Sequence, residues 1–139
     1  MHFDAAIRMP YKWSTGAVYG RFLSGLRQGE LWSVRCLACD AVSLPPATTC
    51  RWCGSEDAEW SRSPDEGRIV AAYRTQHTFP GGPEAPYVVA IIELDDSARI
   101  VHHVPLDHTD AVGERVRARW RPERSGSVLD IECFTKGEQ

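Results

Sequence analysis

The fold of this chain is decided by two short stretches, Cys36-Leu37-Ala38-Cys39 and Cys50-Arg51-Trp52-Cys53. Each CxxC turn places two sulfur atoms on one side of a tight loop, and two facing loops complete the tetrahedron that Zn²⁺ prefers. Asp40 and Gly54 follow the second cysteine of each pair, and both tolerate the positive φ that such turns often require. The spacing therefore predicts one metal site with four ligands: Cys36, Cys39, Cys50 and Cys53.

The predicted metal is a structural Zn²⁺, because four cysteines close the coordination shell whereas catalytic zinc keeps one position open. Iron could occupy the same four-sulfur shell. The redox interpretation of CxxC requires a thioredoxin-like βαβ context that the sequence lacks. Arg35 and Arg51 adjoin ligands and are expected to offset the negative charge of the thiolates. Metal binding should supply folding energy that a ribbon of about 25 residues cannot obtain from its own core.

The segment before the cysteines predicts one helix. Thr15 offers a capping hydroxyl at its start, and Gly29 would end it. One helical face is apolar and carries Val18, Tyr19, Phe22, Leu23 and Leu26. Residues 31–44 then predict a strand, the first cysteine turn and a return strand that Pro45-Pro46 stops.

Beyond the polar, turn-forming stretch 61–67 the pattern becomes entirely β. Five strand candidates lie between turn residues: Arg68–His77, Tyr87–Leu94, Ala98–Val104, Glu114–Arg121 and Val128–Phe134. Five short strands suit a small barrel of the OB type, although 105–112 is short for a helix between the third and fourth strands. We therefore predict a mainly β chain with three parts: an N-terminal arm and helix (1–30), a rubredoxin-like Cys₄ zinc ribbon (31–62) and a C-terminal five-stranded OB-fold barrel (63–139).

Composition narrows the possible functions. The net charge of −3 lacks the basic excess that a dedicated nucleic-acid binder uses to neutralise phosphates. No run of about 18 apolar residues is present, so no membrane span is expected, and the N-terminus does not resemble a signal peptide. Five cysteines with two CxxC pairs favour a reducing compartment and a metal over disulfides. We expect a cytoplasmic protein.

No catalytic residue is predicted. His102 and His103 are neighbours on a strand, so their side chains should point to opposite faces and not share a ligand. His2 and His108 lie in loops or termini without partners, and Cys133 alternates with apolar residues as a buried core thiol would. The sequence contains no Ser–His–Asp constellation, phosphate-binding glycine loop or HExxH motif.

Two further segments are notable. The connection 78–86 between the first two barrel strands is either a ligand-contacting loop, as is common in OB folds, or a plain long hairpin loop. Strand residues 87–92 are apolar on both faces. One face should fill the barrel, and the other must be covered by the ribbon, the helix or another subunit. We expect coverage within the chain together with a partner.

The order of these motifs resembles one family. It combines Leu26-Arg27-Gln28-Gly29, Leu44-Pro45-Pro46 between the CxxC pairs, Gly54 after the second pair, and Ala85-Pro86-Tyr87-Val88-Val89 entering the barrel. The chain resembles the zinc-ribbon plus OB-fold, acyl-CoA-associated proteins that accompany thiolase-like enzymes. The resemblance covers about residues 16 to 134.

The resemblance implies a non-catalytic subunit. Its partner would be a thiolase, an HMG-CoA synthase-type enzyme or a lipid-transfer-protein-like aldolase, and the pair would form a hetero-oligomer acting in lipid, steroid or related acyl-CoA metabolism. The acyl-CoA would lie at the shared interface, and the catalytic groups would belong to the partner. By motif, the four cysteines match the family's metal ligands. Arg21, Arg27 and Arg51 could meet CoA phosphates or remain solvated.

The alternative function is a module that binds single-stranded nucleic acid, because zinc ribbons and OB folds both recur in that role. Tyr73 and Tyr87 could stack bases. Carboxylates surround the expected face, however: Asp65, Glu66, Glu84, Glu93, Asp95 and Asp96. Asp95 and Asp96 have a simpler role at a hairpin tip. The accessory-subunit function is therefore preferred.

Overall fold

The computed structural model describes residues 9–78, 80, 82–105 and 111–137, and it is mainly β with one N-terminal helix. The elements are α1 (Gly16–Gln28), β1 (Leu31–Cys36), β2 (Val42–Ser43), β3 (Ala58–Ser63), β4 (Glu66–Thr75), β5 (Tyr87–Leu94), β6 (Arg99–Val104), β7 (Arg115–Trp120), a 3₁₀ turn (Val128–Asp130) and β8 (Ile131–Lys136). A three-stranded sheet with strand order β2-β1-β3 is followed by a five-stranded sheet with order β6-β5-β4-β7-β8, and the paired strands are antiparallel.

The predicted helix is present, but its start and its face differ in detail from the expectation. Gly29 ends it in the left-handed region (φ 77°), as predicted. The hydroxyl of Thr15 does not cap the helix and instead donates to the carbonyl of Gly16 (3.2 Å). Phe22 is buried in the core, whereas Tyr19 remains 38 % exposed and packs its ring beside neighbouring aromatic rings. The buried stripe is therefore narrower than the apolar pattern suggested.

The ribbon sheet contains the predicted hairpin of β1 and β2 and a third strand, β3, that the sequence pattern did not reveal. All six residues of β3 pair with β1, from Leu31–Ser63 to Cys36–Ala58. The pattern missed β3 because its sequence, AEWSRS, is polar and shows no apolar alternation. Only two residues separate β3 from β4, so most of the polar stretch 61–67 lies within strands.

The five predicted barrel strands correspond to β4–β8. The outer strands β6 and β8 contact each other, so the sheet curls round on itself toward a barrel. Its interior is filled by the side chains that alternate inward along the strands. These buried residues are Ile69, Ala90, Ile92, Leu94, Ile100, Val104, Val116, Ala118, Ile131 and Phe134.

The last predicted strand, Val128–Phe134, is wrong in its first three residues. Val128–Asp130 forms a 3₁₀ turn, and β8 begins only at Ile131. Ser127 accepts a hydrogen bond from the amide of Leu129 and forms a capping box with Asp130, which fixes a helical turn where an extended strand was expected. Most of the connection 105–112 lies outside the described residues.

Helix α1 lies between the two sheets. On the ribbon side, the guanidinium of Arg21 stands over the rings of Trp32 (5.0 Å) and Trp60 (4.4 Å). On the barrel side, Arg124 Nε donates to the carbonyl of Arg27 (3.1 Å). The helix therefore fixes the ribbon against the barrel.

Candidate metal centre

The two cysteine turns have the same backbone hydrogen-bond pattern. In the first, the amide of Cys36 donates to the carbonyl of Ala41 (2.9 Å), and the amide of Asp40 donates back to the carbonyl of Cys36 (2.9 Å). In the second, the amide of Cys50 donates to the carbonyl of Ser55 (2.8 Å), and an amide four residues later donates back (3.0 Å). The two equivalent turns present their sulfur atoms in the same way.

The residue after each second cysteine has the left-handed backbone that the sequence predicts. Asp40 has φ 63° and Gly54 has φ 76°. The charge arrangement differs from the expectation, because Arg35 donates to the carboxylate (2.8 Å) and the carbonyl (3.3 Å) of Asp40. Arg35 thus holds the strained turn residue, while Arg51 is exposed on the second turn.

All four sulfur atoms converge. Cys36 Sγ lies 3.5 Å from Cys53 Sγ, Cys39 Sγ lies 3.6 Å from Cys50 Sγ, and all four lie within 4.8 Å of one another. A tetrahedral zinc ion with Zn–S bonds of about 2.3 Å sets its sulfur atoms about 3.8 Å apart. The donor set and its spacing therefore fit a zinc ion closely.

Without a cation, the neighbouring thiols of the site have different pKa values. Backbone amides of Cys53 and Trp52 donate to the sulfur of Cys50 and lower its pKa to about 6. The amide of Ala41 acts in the same direction on Cys39, but loss of hydration and the neighbouring sulfur atoms outweigh it and raise the pKa of Cys39 to about 12. Four thiols this close do not all ionise at neutral pH unless a cation compensates their charge.

Within the described ranges, no other group of three or more Cys, His, Asp or Glu side chains converges on a metal-sized site. His102 packs against Phe134, with ring centroids 5.7 Å apart, and His103 packs against Tyr87 at the same separation. The two histidines therefore do not form a ligand pair. Cys133 is buried as predicted, and burial raises its pKa, so it is a poor nucleophile. His2 and His108 lie outside the described residues.

A cavity of about 510 Å³ lies beside the line where β6 and β8 meet. Part of the predicted ligand loop, Pro80, Gly82 and Pro83, lines it, together with residues of β5–β8. His102 and His103 both border this cavity although they occupy opposite faces of β6. The sequence pattern missed this shared border because it depends on how the strand curves.

The three arginines considered as CoA contacts are not equivalent. All three are exposed, and Arg21 in addition stands over the rings of two tryptophans. Of the two tyrosines considered for base stacking, Tyr73 is 58 % exposed and Tyr87 is half-buried against His103.

None of the helices among the described residues is long and apolar enough to cross a membrane.

The fold and the four-cysteine site define a zinc-ribbon plus OB-fold protein, and comparison with known families specifies which one. Residues 23–59 match the rubredoxin-like zinc ribbon domain of ChsH2, and residues 60–121 match the C-terminal OB-fold domain of ChsH2. The chain belongs to the ChsH2 family, and its four cysteines are positioned as a structural zinc site requires.

Solved structures share the fold. The chain is 24 % identical to a chain of the Ltp2–ChsH2(DUF35) aldolase, with a TM-score of 0.65 over 93 % of this chain and 98 % of that one. It is 17 % identical to a DUF35-family protein of unknown function from Sulfolobus solfataricus, with a TM-score of 0.61 over 86 % and 84 % of the two chains.

One curated relative is a longer protein. A probable enoyl-CoA hydratase alpha subunit from Thermomonospora curvata is 33 % identical over 75 residues, which make up 54 % of this chain and 24 % of the relative. The aligned part thus spans only about a quarter of that protein.

Proposed function

We propose that this chain is a non-catalytic subunit that binds an aldolase- or thiolase-class enzyme and helps to form that enzyme's acyl-CoA site. The observation that carries the proposal is the fold match to a chain of the Ltp2–ChsH2 aldolase over 98 % of that chain's length. The name of the curated relative, a hydratase subunit, also points to acyl-CoA chemistry. In this proposal the subunit acts in the cytoplasm, in lipid, steroid or related acyl-CoA metabolism.

In this proposal the zinc ion has a structural role. Cys36, Cys39, Cys50 and Cys53 would hold one Zn²⁺ in a shell with no open position, so the ion would shape the ribbon and not act on substrate. Catalysis would come from the partner, since the buried thiol of Cys133 and the packed rings of His102 and His103 offer no activated nucleophile.

The test is co-expression with candidate aldolases and thiolases from the same genome. We expect a stable hetero-oligomer by size-exclusion chromatography with light scattering, acyl-CoA turnover by the complex, and none by the purified chain. The proposal fails if no such enzyme associates with the chain, or if the zinc-loaded chain alone turns over acyl-CoA.

The nucleic-acid alternative has weaker support. The outer face of β7 carries arginines at 115, 117 and 119, which could track a phosphate backbone. Each of them, however, forms an ion pair with a neighbouring carboxylate: Asp95, Glu66 and Glu132, respectively. A gel shift of single-stranded RNA or DNA at low salt would revive this function.

A further inference from the structure

The outer surface of β4–β6 is apolar and open, in contrast to the expected coverage by the ribbon or the helix. Two cross-strand rows form it: Ala71–Ile91–Val101 and Tyr73–Val89–His103. Val101 is 61 % exposed, Tyr73 is 58 % exposed and Ile91 is 38 % exposed. We call these six residues the β4–β6 face.

The apolar surface continues beyond the β4–β6 face. An irregularity in the pairing between Ile69 and Ala71 leaves Val70 39 % exposed at one side. At the other side, Val101 and His103 border the cavity of about 510 Å³, whose far wall includes Val128 and Leu129, both nearly half exposed. A contiguous apolar surface of this kind marks a protein-binding site more often than a solvated face.

The charges around the β4–β6 face indicate what binds there. The next cross-strand row is Arg68–Glu93–Arg99, and the cavity wall adds Arg119, Glu132 and Arg121. Arg99 pairs with Glu93 (2.7 Å), and Arg119 pairs with Glu132 (2.8 Å). Arg68 and Arg121 instead donate to backbone carbonyls, of Gly113 and Leu129, respectively. The border therefore carries four arginines against two glutamates.

This excess of positive charge argues against a symmetric dimer through the same face. A two-fold contact places the same patch on both subunits, so it would bring two cationic borders together, which disfavours association. A protein with an apolar patch bordered by carboxylates is complementary to the β4–β6 face, and its centre would be depleted of charge, as interface cores are.

We propose that the β4–β6 face is the surface on which the partner enzyme docks, with the partner supplying an apolar patch bordered by acidic residues. This inference rests on the proposed function, because the enzyme is the partner named there. The neighbouring cavity is open to receive one apolar side chain of the partner.

The test compares variants of the full-length, zinc-loaded chain for binding to the enzyme that associates with the wild type. Val101→Asp and Tyr73→Asp place a carboxylate on exposed positions of the β4–β6 face, and Tyr11→Asp alters an exposed aromatic residue (78 %) outside it. Circular dichroism and zinc content verify that each variant folds. Titration calorimetry should show binding weakened at least about tenfold for the two face variants and unchanged for Tyr11→Asp.

Each other outcome has a defined meaning. If the wild type binds the enzyme and the face variants bind equally well, or if Tyr11→Asp weakens binding as much as they do, the docking surface is wrong while the proposed function stands. If the isolated chain is a dimer that Val101→Asp dissociates without affecting the enzyme, the face serves self-association and the inference is overturned. If the wild type binds no aldolase or thiolase, both proposals fail.

Discussion

The ribbon and the barrel are both small β structures, but their interiors are built from different chemistry. The barrel is filled by large apolar side chains such as Ile92 and Phe134, and each such buried residue contributes about 1.5–3 kcal/mol. The ribbon interior is partly polar. In it, Ser63 Oγ donates to Ser33 Oγ (2.8 Å), and Ser43 is also buried. The barrel is held together by burial, whereas the ribbon adds only Leu31 and Leu44 to the same apolar cluster and otherwise depends on its metal and on α1.

The largest expected effect follows from removing the metal. Cys36→Ser deletes the buried ligand that ends β1, so the ribbon should lose zinc and unfold, since structural zinc contributes about 10–16 kcal/mol of apparent binding energy in zinc-finger peptides. In two-dimensional NMR spectra, amide signals of β1 and β3 should collapse while those of β4–β8 persist. Cys133→Ala, at a buried cysteine outside the site, should keep one zinc per chain. Loss of dispersion throughout the spectrum would mean that the barrel also depends on the ion.

The reverse perturbation should damage the barrel and spare the metal site. Phe134→Ala removes a fully buried ring of β8 from the interior of the barrel and should cost about 3–5 kcal/mol in the free energy of unfolding. Urea denaturation measures that loss, and elemental analysis of the folded variant should still find one zinc per chain. A variant that folds but binds no zinc would contradict the separation of the two regions.

Particular residues show how much of the metal site, the ribbon and the barrel could be predicted from the sequence. The spacing of Cys36, Cys39, Cys50 and Cys53 identified a site whose sulfur atoms do converge, because CxxC geometry is local. The barrel strands were recognisable because their interior positions alternate.

Strand β3 was missed because it pairs through its backbone and carries few apolar side chains, so nothing in its periodicity reveals it. The Ser127–Asp130 capping box was a readable signal that the apolar pattern of Val128–Phe134 obscured.

The open β4–β6 face was beyond a local pattern. The sequence showed that residues 87–92 are apolar on both sides, and it required some cover for the outer side. Whether the ribbon and α1 reach that side depends on how the two sheets are joined, for instance through the contact of Arg124 with Arg27. Long-range placement of this kind leaves no trace in local periodicity.

A smaller effect is expected where the helix meets the ribbon. Gly25 lies so close to the ring of Trp32 that a Cβ atom would clash with it, so Gly25→Ala should destabilise the chain by about 1–3 kcal/mol. Gly20→Ala, in the same helix, meets only the side-chain oxygen of Thr15 (3.1 Å) and should be neutral or stabilising by up to about 1 kcal/mol. Thermal unfolding of the pair compares them. Equal stabilisation by both alanines would show that α1 does not pack tightly on the ribbon.

The smallest effect is a pH dependence that belongs to the barrel. Burial lowers the pKa of His102 below its ordinary value near 6.5, so the unfolded chain binds more protons than the folded one below that pH. The stability contributed by neutral His102 is complete above about pH 6.5 and is lost as the pH falls below it. His102→Gln should therefore show a smaller decline in urea midpoint between pH 7.5 and 5.5 than the wild type. Parallel declines would show that this ring does not titrate on unfolding.

The most direct test of the account is zinc X-ray absorption spectroscopy on the purified wild-type chain, with the metal content measured on the same sample. We predict one zinc per chain in a shell of four sulfur atoms at about 2.3 Å. A chain that folds without metal, or a zinc shell containing nitrogen or oxygen ligands, would contradict it.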